Sequence, residues 1–147
     1  MNVNDLIIRQ LRLGDYDKGY LSILSELTTV GNITKDEFIK RFNEIPHNHM
    51  IYVIEDMNTG RLMGSGTLLI ELKFIHKCSK VGHIEDIVIS KNYRKNGLGK
   101  TIVDHLSKLS EAYGCYKCIL NCSRNYVGFY LKNSFKETGV EMAIYHH

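Results

Sequence analysis

The chain has 147 residues, 44% of them hydrophobic and 24% charged, with a formal net charge of +3, which fits one domain around one core over residues 1–147. No apolar run approaches the ~20 residues of a membrane helix, the first residues lack a basic stretch leading into an apolar segment, and the charge lacks the dense basic stripe of a nucleic-acid binder. A cytoplasmic protein without membrane or nucleic-acid partners is expected, with a charge that suits a small anionic ligand.

Leu6 to Arg12 alternates along both faces and predicts a first strand, broken at Gly14-Asp15. Tyr20, Ile23, Leu24 and Leu27 recur at helical spacing, and Gly31 is placed to stop that helix. Thr34 and Glu37 form a capping box that opens a second helix, with Phe38, Ile39 and Phe42 on its apolar face and Pro46 beyond its end. Met50 to Glu55 predicts a strand, with Asn58-Thr59-Gly60 as its turn. Leu62 to Ile75 follows as a long apolar strand with Gly64 and Gly66 near its start. Val81 to Ser90 is another strand, and a loop from Asn92 leads into a helix carrying Leu98, Ile102, Val103, Leu106, Leu109 and Tyr113. Tyr116 to Cys122 predicts a strand, Tyr126 to Lys132 a short helix and Glu141 to Tyr145 a last strand. The order β-α-α-β-β-β-α-β-α-β is an α/β layout, with helices flanking one mixed central sheet.

Cys115 and Cys118 share the CxxC spacing of zinc and redox sites. Cys118 and Cys122, however, fall in an apolar run that reads as a strand, whereas structural zinc takes its ligands from loops or knuckles. With Cys78 they read as buried or idle thiols, and no metal is expected.

The strongest chemical signal is Arg94-Lys95-Asn96-Gly97-Leu98-Gly99 between a strand and a helix. Glycines there let backbone approach a ligand, and the free N–H groups and positive dipole end of the helix favour a pyrophosphate. Arg94, Lys95 and Lys100 add positive charge. The loop has neither the ending of a nucleoside-triphosphate loop nor the three-glycine dinucleotide fingerprint; alone, it also fits a plain strand-to-helix turn. Glu85 and Asp86, flanked by Ile84 and Ile87, are the second signal. Alternation puts their side chains on opposite faces; alone, the pair also fits an exposed sheet face.

An RxxGxG pattern after an apolar strand resembles the coenzyme A pyrophosphate loop of GNAT acetyltransferases. LTTVG (27–31), IELKFIH (70–76), GHIEDI (82–87), YRKNGLGK (93–100), YGCYK (113–117), GFY (128–130) and GVEM (139–142) resemble the glucosamine-6-phosphate N-acetyltransferases of that superfamily, in order and across nearly the whole chain. The resemblance implies a single-domain GNAT fold and acetyl-CoA as co-substrate. It implies acetyl transfer to the 2-amino group of glucosamine-6-phosphate in a ternary complex, on the route to UDP-N-acetylglucosamine. It also implies a homodimer in which C-terminal strands exchange or pack together, so that partner residues complete the sugar site.

Residue by residue, the resemblance gives Arg94, Lys95, Asn96, Gly97, Leu98, Gly99 and Lys100 to the diphosphate. It places a bulge in the strand before them, so that an unpaired N–H from Asp86, Ile87 or Val88 faces the thioester carbonyl. Glu85 is expected to receive the ammonium proton, directly or through water, and Asp86 to help bind the sugar. Tyr130 is expected to donate to the departing thiolate. Thr28 and Gly31 in their turn, Lys73, His76 and Lys117 are candidates for the acceptor's phosphate. Two departures stand out. Asn121 replaces an acid found in some relatives; it can hydrogen-bond but neither act as a base nor neutralise an ammonium. Tyr126 replaces an Asn, leaving Asn125 one position early as a coenzyme contact. A relative acting on a polyamine, an antibiotic or a protein N-terminus is the nearest rival. A non-catalytic acetyl-CoA sensor is another, opposed by the joint presence of Glu85, Asp86 and Tyr130.

Overall fold

The structure, a computed structural model, describes residues 5–147. Strands β1 (Leu6–Gln10), β2 (His49–Asp56), β3 (Leu62–Leu72) and β4 (Lys80–Ile89) pair antiparallel in chain order, and β5 (Cys115–Ile119) joins β4 in parallel. The helices are α1 (Tyr20–Leu24), α2 (Lys35–Glu44), a single turn α3 (Ile75–Cys78), α4 (Leu98–Ala112) and α5 (Val127–Lys132).

Strand alternation builds two cores, one on each face of the sheet. In β2, Met50 and Ile54 join Leu68, Ile84, Ile102, Val103 and Leu106 beneath α4. Val53, on the other face, joins Tyr20, Ile23 and Phe38 beneath α1 and α2. The expected capping box opens α2: the Glu37 N–H donates to Thr34 Oγ1 at 3.2 Å, and the Thr34 N–H donates to the Glu37 carboxylate at 3.4 Å. α4 lies close on β4 because Gly82 lacks a side chain. A Cβ there would overlap Ser110 Oγ and stand 2.9 Å from Ser110 Cβ. Gly82→Ala is therefore expected to cost about 1–3 kcal/mol through overpacking. A urea-unfolding midpoint equal to that of the parent chain would contradict this.

Four stretches differ from the sequence expectation. Regular α1 stops at Leu24, and its end tightens: the Glu26 and Leu27 N–H groups donate to Ile23 and Leu24 carbonyls at 3.1 and 3.0 Å, three residues back. Gly31, at φ 81°, lies in the following connection rather than at the helix end. β3 ends at Leu72 because the chain closes on itself, with the Lys73 N–H donating to Ser79 O at 2.9 Å. Inside that turn His76, Lys77 and Cys78 take left-handed φ of 51°, 57° and 57°. β5 ends at Ile119, so Cys122 lies beyond the strand and strand alternation does not relate it to Cys118. Glu141 to Tyr145 forms no strand: no strand of the described residues pairs with it, and Met142 and Tyr145 are 91% and 88% exposed. The four cysteines are free, Cys78 and Cys122 exposed and the other two half-buried.

Candidate active site

The site forms where two strands part. β5 follows β4 only from Lys80 opposite Cys115 to His83 opposite Ile119, while β4 continues to Ile89. From Ile84 onward, that edge of β4 has no strand partner among the described residues, and its backbone groups are available to a ligand.

The same stretch carries the expected bulge. Thr67 pairs with Glu85 and Ser65 with Val88, so Asp86 and Ile87 together face Gly66. Asp86 accepts a left-handed φ of 52° to make room. Ile84 and Ile87 consequently pack in the same α4-side core although they are three residues apart. A Cβ on Gly66 would stand 2.6 Å from Ile87 Cδ1 and 2.9 Å from Leu106 Cδ1, so only glycine fits opposite the bulge.

The bulge corrects the expectation that Glu85 and Asp86 simply alternate. It is Ile87, not Asp86, that returns to the face of Ile84. Glu85 shares the face of its partner Thr67 and of Val88, on the α1–α2 side. The Asp86 charge bears on both Glu85 and Tyr20 of that same side. Although Glu85 is exposed, desolvation by its neighbours pushes the carboxyl above its usual range, the Asp86 and Glu141 charges add to this, and His83 opposes it.

α4 begins without a cap. Gly97 sits at φ 71°, no side chain accepts from the helix N-terminus, and no acid lies in the first turn. The first bond runs from the Thr101 N–H to Gly97 O at 3.2 Å, leaving the N–H groups of Leu98, Gly99 and Lys100 without helix partners. Arg94 and Lys95 end the preceding turn, and Lys100 pairs with Asp104 at 2.6 Å. The Arg94 Nε donates to Ile89 O at 3.0 Å, and its Nη2 lies 3.8 Å from Glu26. Glu26 also accepts from the Lys91 N–H at 2.8 Å. An uncapped helix with cations around it fits a diphosphate.

α5 lies against this helix start: a Cβ on Gly99 would meet Phe129 at 3.6 Å. Tyr130 is half-buried between Phe129 and Phe135, with ring centroids at 4.9 and 5.6 Å. Burial, then the neighbouring Cys122 and Tyr126, push its phenol up. A cavity of about 590 Å³ is lined by Lys117, Asn121, Cys122, Tyr130 and Glu141, among others. Asn125 sits exposed in the turn before α5 and does not line it.

The candidates for a phosphate fall into two groups. His76 packs tilted against Tyr116 with ring centroids 4.5 Å apart, and Lys117 Nζ lies 5.6 Å from the same ring. Lys73 is nearby in the β3–β4 turn, paired with Glu71 at 3.1 Å. Thr28 and Gly31 instead follow Glu26, which is tied to Lys91 beyond the far end of β4. The length of β4 separates the two groups. The sequence reading missed Glu71, His83, Glu26 and Glu141. His83 was within reach, since alternation sets it on the Glu85 face. Glu26 carried no signal, because its partner lies 65 residues away.

The pattern of the acetyltransferase (GNAT) family matches residues 18–135. The chain is 43% identical over 140 residues to glucosamine 6-phosphate N-acetyltransferase 1 of Dictyostelium discoideum, covering 93% of this chain and 88% of that one. It is 40% identical over 141 residues to the protein of the same name from Oryza sativa subsp. japonica, covering 94% and 86%. The crystal structure of glucosamine-6-phosphate N-acetyltransferase from Arabidopsis thaliana superposes with a TM-score of 0.92 at 38% identity, over 97% of this chain and 99% of that one.

Proposed function

The chain belongs to the acetyltransferase (GNAT) family, and from that premise we propose that it moves the acetyl group of acetyl-CoA to the 2-amino group of glucosamine-6-phosphate. The observation that carries acetyl transfer is the open, bulged edge of β4 beside the uncapped start of α4. The acceptor rests on the relatives that carry that activity in their names.

The coenzyme supplies an activated acetyl thioester. The N–H groups of Leu98, Gly99 and Lys100, with Arg94 and Lys95 beside Asn96 and Gly97, hold its diphosphate. An N–H of the Asp86–Val88 bulge donates to the carbonyl oxygen as negative charge grows there. Glu85 takes the proton that the ammonium must lose before it attacks, and a carboxylate held above its usual range suits that task. Asp86 hydrogen-bonds the sugar, and Asn121 can do no more than hydrogen-bond. Lys117 shares the Tyr130 cavity, which favours the Lys73, His76 and Lys117 end for the phosphate.

Tyr130 donates to the departing thiolate. A thiol of ordinary pKa near 8.5 leaves readily, so Tyr130→Phe is expected to lower kcat only about tenfold, below the usual reach of an acid catalyst, with acceptor KM unchanged. A rise in KM at constant kcat would assign Tyr130 to binding.

The whole chain acts as one domain, in the cytoplasm, as a homodimer. No helix of the described residues is long and apolar enough to cross a membrane. The dimer is supported by the unpaired tail, whose Val140, Met142, Ile144 and Tyr145 are 80–91% exposed. Sedimentation at micromolar concentration should find twice the chain mass; a monomer alone would contradict it. The function is tested by thiol release from acetyl-CoA with glucosamine-6-phosphate and with glucosamine. Preference for the phosphorylated sugar is expected, and equal use of both would overturn the acceptor.

A further inference from the structure

A base that takes a proton from every acceptor must be deprotonated when the next one arrives. What surrounds Glu85 therefore matters as much as the carboxylate itself. His83 stands two residues earlier on β4, on the same face of the sheet. Its position is fixed from the neighbouring strand: its Nε2 lies 2.8 Å from Glu71 Oε1. Glu71 is held in turn by Lys73, whose Nζ lies 3.1 Å from the other carboxylate oxygen. The result is a linked row, Lys73, Glu71 and His83, that runs from the end of β3 along one face of β4 towards Glu85 and the bulge.

We propose that His83, clamped by Glu71, is a positioning residue for Glu85, and that its imidazole sets the pH range in which that carboxylate is free to accept the acceptor's proton. The inference rests on the reading of Glu85 as the proton acceptor. The groups that bear on the pair are few. β3 contributes Glu71, the turn after it Lys73, and β4 contributes Asp86. β5 places Lys117 opposite Val81, on the His83 face. The C-terminal segment brings Glu141, and the α1 side brings Tyr20 next to Asp86. Asp86 and Glu141 favour the protonated carboxyl, while His83 favours the carboxylate. Same-face neighbours on a strand stand roughly 7 Å apart. A positive charge at that distance favours the carboxylate over the carboxyl.

The test is the pH profile of kcat/KM for thiol release. In His83→Gln the pull of the imidazole on the carboxylate is gone, Glu85 holds its proton to higher pH, and the acid limb moves up. His83→Lys keeps a positive charge and should return the limb to its parent position or below. A merely structural His83 would lower kcat at every pH and leave the limb in place, and that result overturns the proposal. Glu85→Gln is the control that separates the two claims. If it keeps full turnover, the reading of Glu85 fails and the proposal with it. If it loses turnover while His83→Gln keeps the parent limb, only the role of His83 fails.

Discussion

Glu85→Gln is expected to lower kcat about 10²-fold while acetyl-CoA still binds. The substitution keeps the size and one hydrogen-bonding oxygen but removes the ability to take a proton. The effect sits at the lower end for a general base because an amine beside the electron-withdrawing groups of a sugar is less basic than a lysine. The coenzyme contacts assigned to α4 and its preceding turn lie on a different element, so binding should persist. The pH dependence follows from the same group. Desolvation and the Asp86 charge raise its pKa, so the carboxylate form, and activity with it, is lost as pH falls through that raised value. Steady-state kinetics and calorimetry check both halves. Unchanged kcat, or lost acetyl-CoA binding, would remove Glu85 from the chemistry.

Asp15→Ala is expected to destabilise the fold by about 3 kcal/mol, the lower figure for stranding a buried ion. Arg9 and Asp15 are 8% and 1% exposed. The Arg9 Nη1 and Nη2 donate to the two Asp15 oxygens at 2.9 and 2.8 Å, and the Arg12 N–H adds a third bond at 2.8 Å. Without Asp15 the guanidinium keeps Glu55, bonded through Nε at 2.7 Å, and the Gln10 carbonyl, which accepts from Nη1 at 3.1 Å, which is why the lower figure applies. Burial itself pushes the Asp15 carboxyl up, but the Arg9 bonds and the Arg12 N–H outweigh it, so its pKa lies below the usual carboxylate value. Glu55 is also lowered, as Lys18 and Arg9 outweigh its burial. Carboxyls depressed in the folded state contribute stability that is full above their unfolded pKa of about 4 and fades as pH falls below it. Thermal unfolding of the parent should therefore weaken below about pH 4, and Asp15→Ala should flatten part of that loss. Equal melting temperatures at neutral pH would contradict the account.

The sheet and the glycine-led start of α4 were legible because each rests on local pattern. Alternation gave β1, β2 and β4, the capping box gave the start of α2, and Gly97 with its cations gave the start of α4. What stayed hidden was set at a distance. The fate of Leu62 to Ile75 depended on Lys73 finding Ser79 to close a turn, which an apolar run does not encode. The Glu141–Tyr145 segment has strand composition, but a strand exists only beside another, and no edge among the described residues accepts it. The faces of Glu85 and Asp86 followed the bulge rather than the alternation, because one extra residue opposite Gly66 resets the count. Arg9 and Asp15 read as a strand end and a loop, and only the folded chain joins them.

If the turn into α4 grips the diphosphate and so lays the thioester along the bulge of β4, the diphosphate must contribute to coenzyme binding. Titrating the protein calorimetrically with coenzyme A and with pantetheine, which lacks the diphosphate, tests this most directly. One saturable site for coenzyme A and at least about tenfold weaker binding of pantetheine are expected, since charge-assisted bonds at a helix start contribute about 1.4 kcal/mol or more. Equal affinity for the two, or no uptake of coenzyme A, would contradict it.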